Sequence, residues 1–399
     1  MEFEETESGE SRYLMSTYSR PGDMILVSGD GCELTDHRGR TYLDCMSGIA
    51  VMALGHSDPE WVATVAAEAG RLVHVSNLYH SAPQVSLARE LVERSFADKV
   101  FFCNSGTEAN EAAFKLARKW AVNQGSADKT RVVAFEGGFH GRTIGALSMT
   151  HKPSIREPFE PLLEGVTFAP FNDAEAAQRA IDDKTAAVFV EPLQGEGGVR
   201  PVDPAFLKRV AELCRRHRAL LVFDEVQCGL GRTGTLFAHE QLGVTPDLMT
   251  LAKPLAGGLP IGALLATEEV AMAFGPGDHG STFAGGPLVC RAAEVVLRRL
   301  TPEFLAEVRA LGDQLRESLE ALKHPAIVEV RGLGLLVGVE LDRPVAPVVE
   351  AARRRGLLVI PAGEQVVRFA PPLIISRAAL LRAVRLFDES LAAADERSE

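Results

Sequence analysis

The chain has 399 residues and a formal net charge of −12 at pH 7, with 46% hydrophobic and 24% charged residues. That length exceeds one comfortable hydrophobic core, and the composition is that of an ordinary globular protein, so two or more lobes are expected. The acidic balance, without a basic stripe carrying interleaved aromatics, makes nucleic acid and anionic membranes poor partners, and no apolar run approaches the ~18 residues a bilayer needs.

The first ten residues, MEFEETESGE, are acidic, the wrong chemistry for a secretory or transit leader. Residues 1–12 therefore read as a solvated, mobile tail. Residues 13–45 form an N-terminal segment whose Met24–Leu43 stretch is expected to join a C-terminal lobe. From residue 46 to 294 short apolar runs alternate with helical patterns: Val100–Cys103, Val132–Phe135, Ala186–Val190, Ala219–Phe223, Leu248–Leu251 and Ala263–Ala266. Each run is short and almost wholly apolar, as strands covered on both faces are. The helical patterns between them include Thr107–Trp120 and Pro204–Arg218. The alternation predicts a large α/β domain with a mostly parallel central sheet. Residues 295–399 mix strands at 327–330, 335–341, 357–360 and 366–369 with helices, predicting a smaller α+β domain. The six cysteines are scattered, with no C-x-x-C, which fits reduced thiols in a cytoplasmic protein.

The chemistry-bearing residues stand where the apolar runs stop, the edge at which open α/β sheets bind ligands. Ser105-Gly106-Thr107 follows the first run, with Ser105 and Glu108 at capping-box spacing. Such a helix start holds phosphate through free amides and the helix dipole, or it is simply well capped. Phe139-His140-Gly141-Arg142 follows the second run; Phe139 can stack on a flat ring and Arg142 can offer its fork to a carboxylate. Asp224-Glu225-Val226-Gln227 ends the fourth run. A carboxylate there needs a cation or a donor to stay ionised, and a metal ion, a protonated pyridine nitrogen or a plain loop setting would each serve. Gly229 to Gly234 matches G-x-G-x-x-G, which raises a nicotinamide-dependent oxidoreductase as the competing enzyme class. The match starts late after its strand and no long helix follows before Pro246, so a packed glycine loop is the better reading. The histidines show no ligand spacing, which disfavours metal catalysis.

Lys253 ends the fifth run, in Leu251-Ala252-Lys253-Pro254. Burial would lower its pKa and make it an amine able to form a Schiff base. Together with Asp224 and the turn at 105–107 it outlines a three-point site for pyridoxal 5′-phosphate, which offers an aldehyde, a pyridine nitrogen and a phosphate. Pro254 is expected to bias Lys253 towards extended backbone. A non-catalytic binding protein is the bland alternative, and so many polar groups at strand ends argue against it.

From about Tyr18 to Ser390 the chain resembles the class III aminotransferases of fold type I. The resemblance rests on Phe102-Cys103-Asn104-Ser105-Gly106-Thr107-Glu108, Phe139-His140-Gly141-Arg142-Thr143, Glu191-Pro192-Leu193-Gln194-Gly195-Glu196-Gly197-Gly198, Asp224-Glu225-Val226-Gln227, His279-Gly280-Ser281-Thr282-Phe283 and Val367-Arg368-Phe369-Ala370-Pro371-Pro372. It implies that Lys253 carries the cofactor and moves its proton, that Asp224 holds the pyridinium, and that Gln227 bonds the ring hydroxyl. It further implies that Val226 and Phe139 sandwich the ring, and that Ser105, Gly106 and Thr107 hold the phosphate with Thr282 of a partner subunit in a homodimer. Glu225 belongs to the same cofactor motif. For substrates it implies Arg142 and Ser281 on the far carboxylate, Arg368 on the near carboxylate of glutamate, and Glu196 covering Arg368 in between. The implied reaction moves the terminal amine of N2-acetyl-L-ornithine to 2-oxoglutarate, a step of arginine biosynthesis. Ile49 stands where ornithine-specific members carry tyrosine, favouring an acylated amine. Succinylornithine, ornithine, 4-aminobutyrate and carrier-linked aminoadipate semialdehyde stay open as amine donors. Three departures from the family pattern are Ala284-Gly285-Gly286, Pro254 and Leu259.

Overall fold

The computed structural model describes residues 3–396. Seven strands form the main sheet, in the order Lys99–Cys103, Gly262–Ala266, Leu248–Leu251, Leu220–Asp224, Thr185–Val190, Arg131–Phe135, Val166–Ala169. Gly262–Ala266 runs antiparallel to both of its neighbours, and the remaining pairs are parallel. The expected mostly parallel sheet is therefore present, with one reversed strand and one edge strand, Val166–Ala169, that the sequence did not suggest. That strand carries only partly buried side chains over its first three residues, so it lacks the continuous apolar run of its neighbours.

Alternation along the strands explains why both sheet faces need a cover. Val133, Phe135, Val188, Val190, Leu221 and Phe223 point into one core with Phe206, Leu207 and Val210 of helix Pro204–His217. Val132, Ala134, Phe189, Val222 and Leu248 point into the other with Ala113, Phe114 and Leu116 of helix Gly106–Asn123. Burying side chains of this size stabilises the fold by ~1.5–3 kcal/mol each.

In the C-terminal part, Ile327–Leu333, Leu336–Leu341, Val366–Phe369 and Ile360–Pro361 make an antiparallel sheet. Leu357–Leu358 instead pairs parallel with Thr41–Asp44, whose other neighbour is Glu33–Asp36, itself paired with Leu26–Asp30 at the edge. The N-terminal segment thus shares a sheet with a strand from beyond residue 295. Phe3–Tyr13 is a helix, where the acidic composition suggested a tail; Glu10 near its end forms an ion pair with Arg20.

The G-x-G-x-x-G stretch is a tight, packed turn. A side chain on Gly231 would run into Leu300, Leu373 and Leu305, and one on Gly234 into Arg309. Between them Arg232 is fully buried and donates from Nη1 to the carbonyls of Leu335 and Pro371. Burial pushes the Arg232 guanidinium down to about 9. No long helix follows the turn, only the short Ala238–Gln241, so its amides offer no dinucleotide cradle. Arg232→Leu is expected to lower the thermal midpoint of unfolding, since two buried carbonyls lose their donor at roughly 1–3 kcal/mol each.

Candidate active site

Six connections converge on one edge of the main sheet, because the antiparallel strand presents its beginning where the others present their ends. Five of them border a cavity of about 380 Å³ lined by Ser105, Gly106, Thr107, Phe139, Arg142, Glu196, Asp224, Val226, Gln227 and Lys253, with Asn110, His140 and Glu191.

At one end of the cavity helix Gly106–Asn123 begins. Ser105 is its N-cap, in extended conformation, with Oγ accepting from the Glu108 amide at 3.3 Å. The Glu108 carboxylate reaches back to the amide of Asn104 rather than that of Ser105, one residue outside the usual box. Gly106 and Thr107 therefore present first-turn amides that no helical carbonyl can satisfy. A side chain on Gly106 would lie 2.6 Å from Val226 Cγ1, so glycine is what allows the helix start to meet the Asp224 loop. Thr107 Oγ1 sits 2.9 Å from Thr143 Oγ1 and accepts from the Arg142 amide at 3.2 Å.

At another wall stands Asp224, buried at the end of its strand. Its Oδ2 accepts from Asn110 Nδ2 at 2.7 Å and faces His140 Nδ1 at 2.8 Å, while Oδ1 accepts from the Val226 amide at 3.0 Å. Asn110 is itself held by the His140 carbonyl and by Thr250 Oγ1. Burial opposes the charge on His140, but its bond to Asp224 wins, and the imidazole pKa is raised. A carboxylate clamped in this way is ready to accept one more donor from the cavity.

Glu225 differs from its neighbour. Consecutive side chains at a strand end point opposite ways, and Glu225 turns from the cavity to accept from the amides of Ala238 and His239. The expectation that it touches a cofactor is corrected: it anchors the short helix Ala238–Gln241.

Lys253 begins a 3-10 turn with φ of +25°. The expected extended backbone is therefore wrong. The chain must reverse between Leu251 and the antiparallel strand at Gly262, and that reversal overrides the local effect of Pro254. Lys253 Nζ has no hydrogen bond or ion pair among the described residues. Burial lowers its pKa, and the carboxylates of Glu196 and Asp224 offset this only in part.

Arg368 lies under the Glu196 side of the cavity. It is buried, and Nη1 donates to Gly195 O at 3.0 Å, Glu196 Oε1 at 2.7 Å and Gln227 Oε1 at 2.9 Å. Burial raises the Glu196 pKa, but the Arg368 guanidinium outweighs it and the net shift is downward. Arg142 is exposed, its guanidinium carbon 5.7 Å from the centre of the Phe139 ring. Ser281 accepts from Asn104 Nδ2 at 2.8 Å, and Thr282 is exposed and outside the cavity lining of this single chain. Leu259 lines the cavity, and the Ala284 carbonyl accepts from Asn77.

Sequence reasoning passed over Asn110, His140 and Glu191 as site residues. His140 adjoins a quoted motif and Glu191 opens another, but only strand order brings either to Asp224. Asn110 carries no local signal beyond its place one turn into the helix.

The family description "Aminotransferase class-III" matches residues 15–391. The chain belongs to that family. An "acetylornithine aminotransferase, mitochondrial" from Alnus glutinosa is 53% identical, over 96% of this chain and 87% of the relative. A crystal structure of N-acetylornithine aminotransferase from Stenotrophomonas maltophilia K279a is 41% identical with a TM-score of 0.83, covering 97% of this chain and 98% of that one. An ornithine aminotransferase from Toxoplasma gondii ME49 is 34% identical with a TM-score of 0.95, covering 100% and 96%.

Class III aminotransferases work with pyridoxal 5′-phosphate, and the donor set of this cavity fits that group. A buried carboxylate with acceptor capacity, an unpaired lysine and an open helix N-terminus meet a pyridine nitrogen, an aldehyde and a phosphate. Among the described residues no group of three or more His, Cys, Asp or Glu side chains is placed to hold a metal ion, and no helix is long and apolar enough to cross a membrane.

Asp224→Ala is expected to leave Asn110 and His140 without their shared acceptor, at about 1–3 kcal/mol each. Thermal unfolding of the cofactor-free variant would show a lower midpoint; an unchanged midpoint would mean that the clamp does not hold the site.

Proposed function

We propose that this class III aminotransferase moves the terminal amine of N2-acetyl-L-ornithine to 2-oxoglutarate, giving N-acetylglutamate 5-semialdehyde and glutamate in arginine biosynthesis. The observation that carries the reading is the ion pair of buried Arg368 with the part-exposed Glu196, near Lys253. The two substrates differ in where their carboxylate lies relative to the reacting amine. Glutamate reacts at its α-amine, so its α-carboxylate falls close to the chemistry, where Arg368 waits. Acetylornithine reacts at its far end and puts an uncharged carbon chain there, so Arg368 needs an internal anion, which Glu196 supplies. The half-exposed Glu196 can swing away, whereas Arg368 is fixed by Gly195 and Gln227. Arg142, exposed at the mouth, is placed for the carboxylate far from the reacting carbon in either substrate.

Pyridoxal phosphate, when bound, supplies the aldehyde that takes up the amino group and a ring that accepts electrons from the reacting carbon. Asp224 holds a proton on the ring nitrogen. Phe139 and Val226 cover the ring and exclude water, and Gln227 bonds the ring hydroxyl. Ser105, Gly106 and Thr107 bind the phosphate. Lys253 Nζ, whose charge burial disfavours, takes the proton from the amine-bearing carbon and returns it.

The active unit is proposed to be a homodimer, in which Thr282 reaches the phosphate of the partner. Leu78, Tyr79 and Phe283 are exposed on this chain, an apolar cost that a second copy would remove. Thr282→Ala is then expected to weaken phosphate retention by about tenfold, read by cofactor titration. Unaltered retention would place Thr282 outside the site. The six free thiols, five of them buried and Cys32 partly so, fit a cytoplasmic location.

Single-turnover reaction of the loaded enzyme with acetylornithine, succinylornithine, ornithine and 4-aminobutyrate tests the donor. Bleaching of the cofactor's visible band by acetylornithine supports the reading; bleaching by ornithine alone overturns it.

A further inference from the structure

Beyond the residues already assigned to cofactor and substrates, one buried ionisable group faces the pyridine end of the cavity. Glu191 follows strand Thr185–Val190, beside the strand that ends in Asp224. It is buried, yet no lysine or arginine pairs with it among the described residues. Its Oε2 accepts from the Phe139 amide at 3.0 Å, and its Oε1 lies 3.5 Å from the Gly195 amide. Phe139 is the ring-covering residue, and the Gly195 carbonyl anchors Arg368. One carboxylate therefore ties the aromatic cover to the anchor of the near-carboxylate arginine.

The same carboxylate looks towards His140. A side chain added to Gly138 would stand 3.2 Å from His140 Nε2 and 3.5 Å from Glu191 Oε2, so glycine keeps open the space that both polar atoms flank. His140 Nδ1 is already committed to Asp224 Oδ2. His140 thus meets Asp224 through Nδ1, while its Nε2 borders the same small space as Glu191 Oε2 without bonding to it directly. Charged groups that bear on Glu191 are His140, Asp224 and Lys253, and Lys253 is itself near Glu196 and Arg368. Burial raises Glu191 to about 7, against the pull of His140, so its charge changes within the physiological range.

We infer that Glu191 is a positioning residue that biases the charge of His140 beyond what Asp224 does, and through His140 the strength with which Asp224 holds the proton on the ring nitrogen. With Glu191 ionised, the imidazolium is favoured and Asp224 stays anionic opposite the ring nitrogen. With Glu191 protonated, the imidazolium loses one of its two stabilising anions. The sign follows: an ionised Glu191 adds to the upward shift that Asp224 chiefly gives His140, and that addition fades as Glu191 takes up a proton with falling pH.

The inference rests on the assignment of Asp224 to the ring nitrogen, and its test is chosen to be separable from that assignment. Full-length enzyme with ring-labelled histidine, loaded with pyridoxal phosphate, is titrated by NMR, with the His140 signal assigned from His140→Asn. Glu191→Gln keeps the shape and an acceptor for the Phe139 amide but removes the charge. It is expected to lower the His140 pKa by about one unit, and Glu191→Asp, which restores a carboxylate, to recover most of that shift. The pH at which the cofactor's visible band changes should move with His140 in the Gln variant. A His140 titration unmoved by Glu191→Gln in protein with unchanged circular dichroism overturns the inference. So does a His140 that shifts equally in the Gln and Asp variants, because the effect would then be one of packing. In the loaded enzyme, a His140 response without any change in the band would overturn the role through Asp224, while enzyme that binds no cofactor would overturn the proposed function itself.

Discussion

Arg368→Ala is expected to cut turnover with 2-oxoglutarate by about 10²-fold or more while sparing the half-reaction with the amine donor. The argument is one of charge matching. Arg368 is buried and fixed from two sides by Gly195 O and Gln227 Oε1, so it costs little reorganisation to receive a carboxylate. Removing a fixed cation from a buried carboxylate site costs ~3–5 kcal/mol, which at 1.4 kcal/mol per tenfold is about two to three and a half orders of magnitude. The donor puts no carboxylate at that point, so its half-reaction keeps its rate apart from small changes in packing. Single-turnover absorbance in each direction separates the two. Equal loss in both directions would mean that Arg368 only holds the fold, and an intact 2-oxoglutarate reaction would remove it from the site.

Lys253→Ala is expected to lower overall turnover by at least about 10³-fold, from loss of the amine that carries the proton and the covalent hold on the cofactor. Burial lowers the Lys253 pKa more than the charges of Glu196 and Asp224 raise it, and among the described residues no hydrogen bond or ion pair holds its amine. Borohydride reduction of the parent enzyme should leave the cofactor's mass on the peptide that contains Lys253, and the variant should carry none. A label on another lysine, or a variant of normal activity, would end the assignment. Arg142→Ala should behave differently, weakening both substrates through KM, because both present a far carboxylate.

Much of this site was legible in the sequence because its residues lie at the ends of short, wholly apolar strands. Asp224, Lys253 and Ser105 could each be placed at a strand end before any pairing was known. What the sequence could not reveal was lateral order. The approach of Glu191 to Asp224 follows from Thr185–Val190 lying beside Leu220–Asp224, and no local pattern encodes which strand is whose neighbour. The direction of Gly262–Ala266 was hidden for a similar reason, since a buried strand reads alike in either orientation. Glu225 was misplaced because motif membership does not tell which way a side chain points, whereas strand alternation does. Lys253 was misjudged by weighing the proline next to it above the chain reversal around it.

That reversal has a consequence for how the enzyme could diversify. The connection from Leu251 to Gly262 carries Lys253 near its start and ends with Leu259, Pro260 and Ile261 on the cavity wall. Lys253 and this wall therefore ride on one hairpin whose two feet are stapled by the Leu251–Ala263 pairing. Exchanging residues near its tip, where Gly258 and Leu259 sit, would recontour the cavity while both feet keep their register. Lengthening it at Pro254 would displace the lysine itself. Substrate range can drift in this protein at the far end of a loop whose near end cannot move.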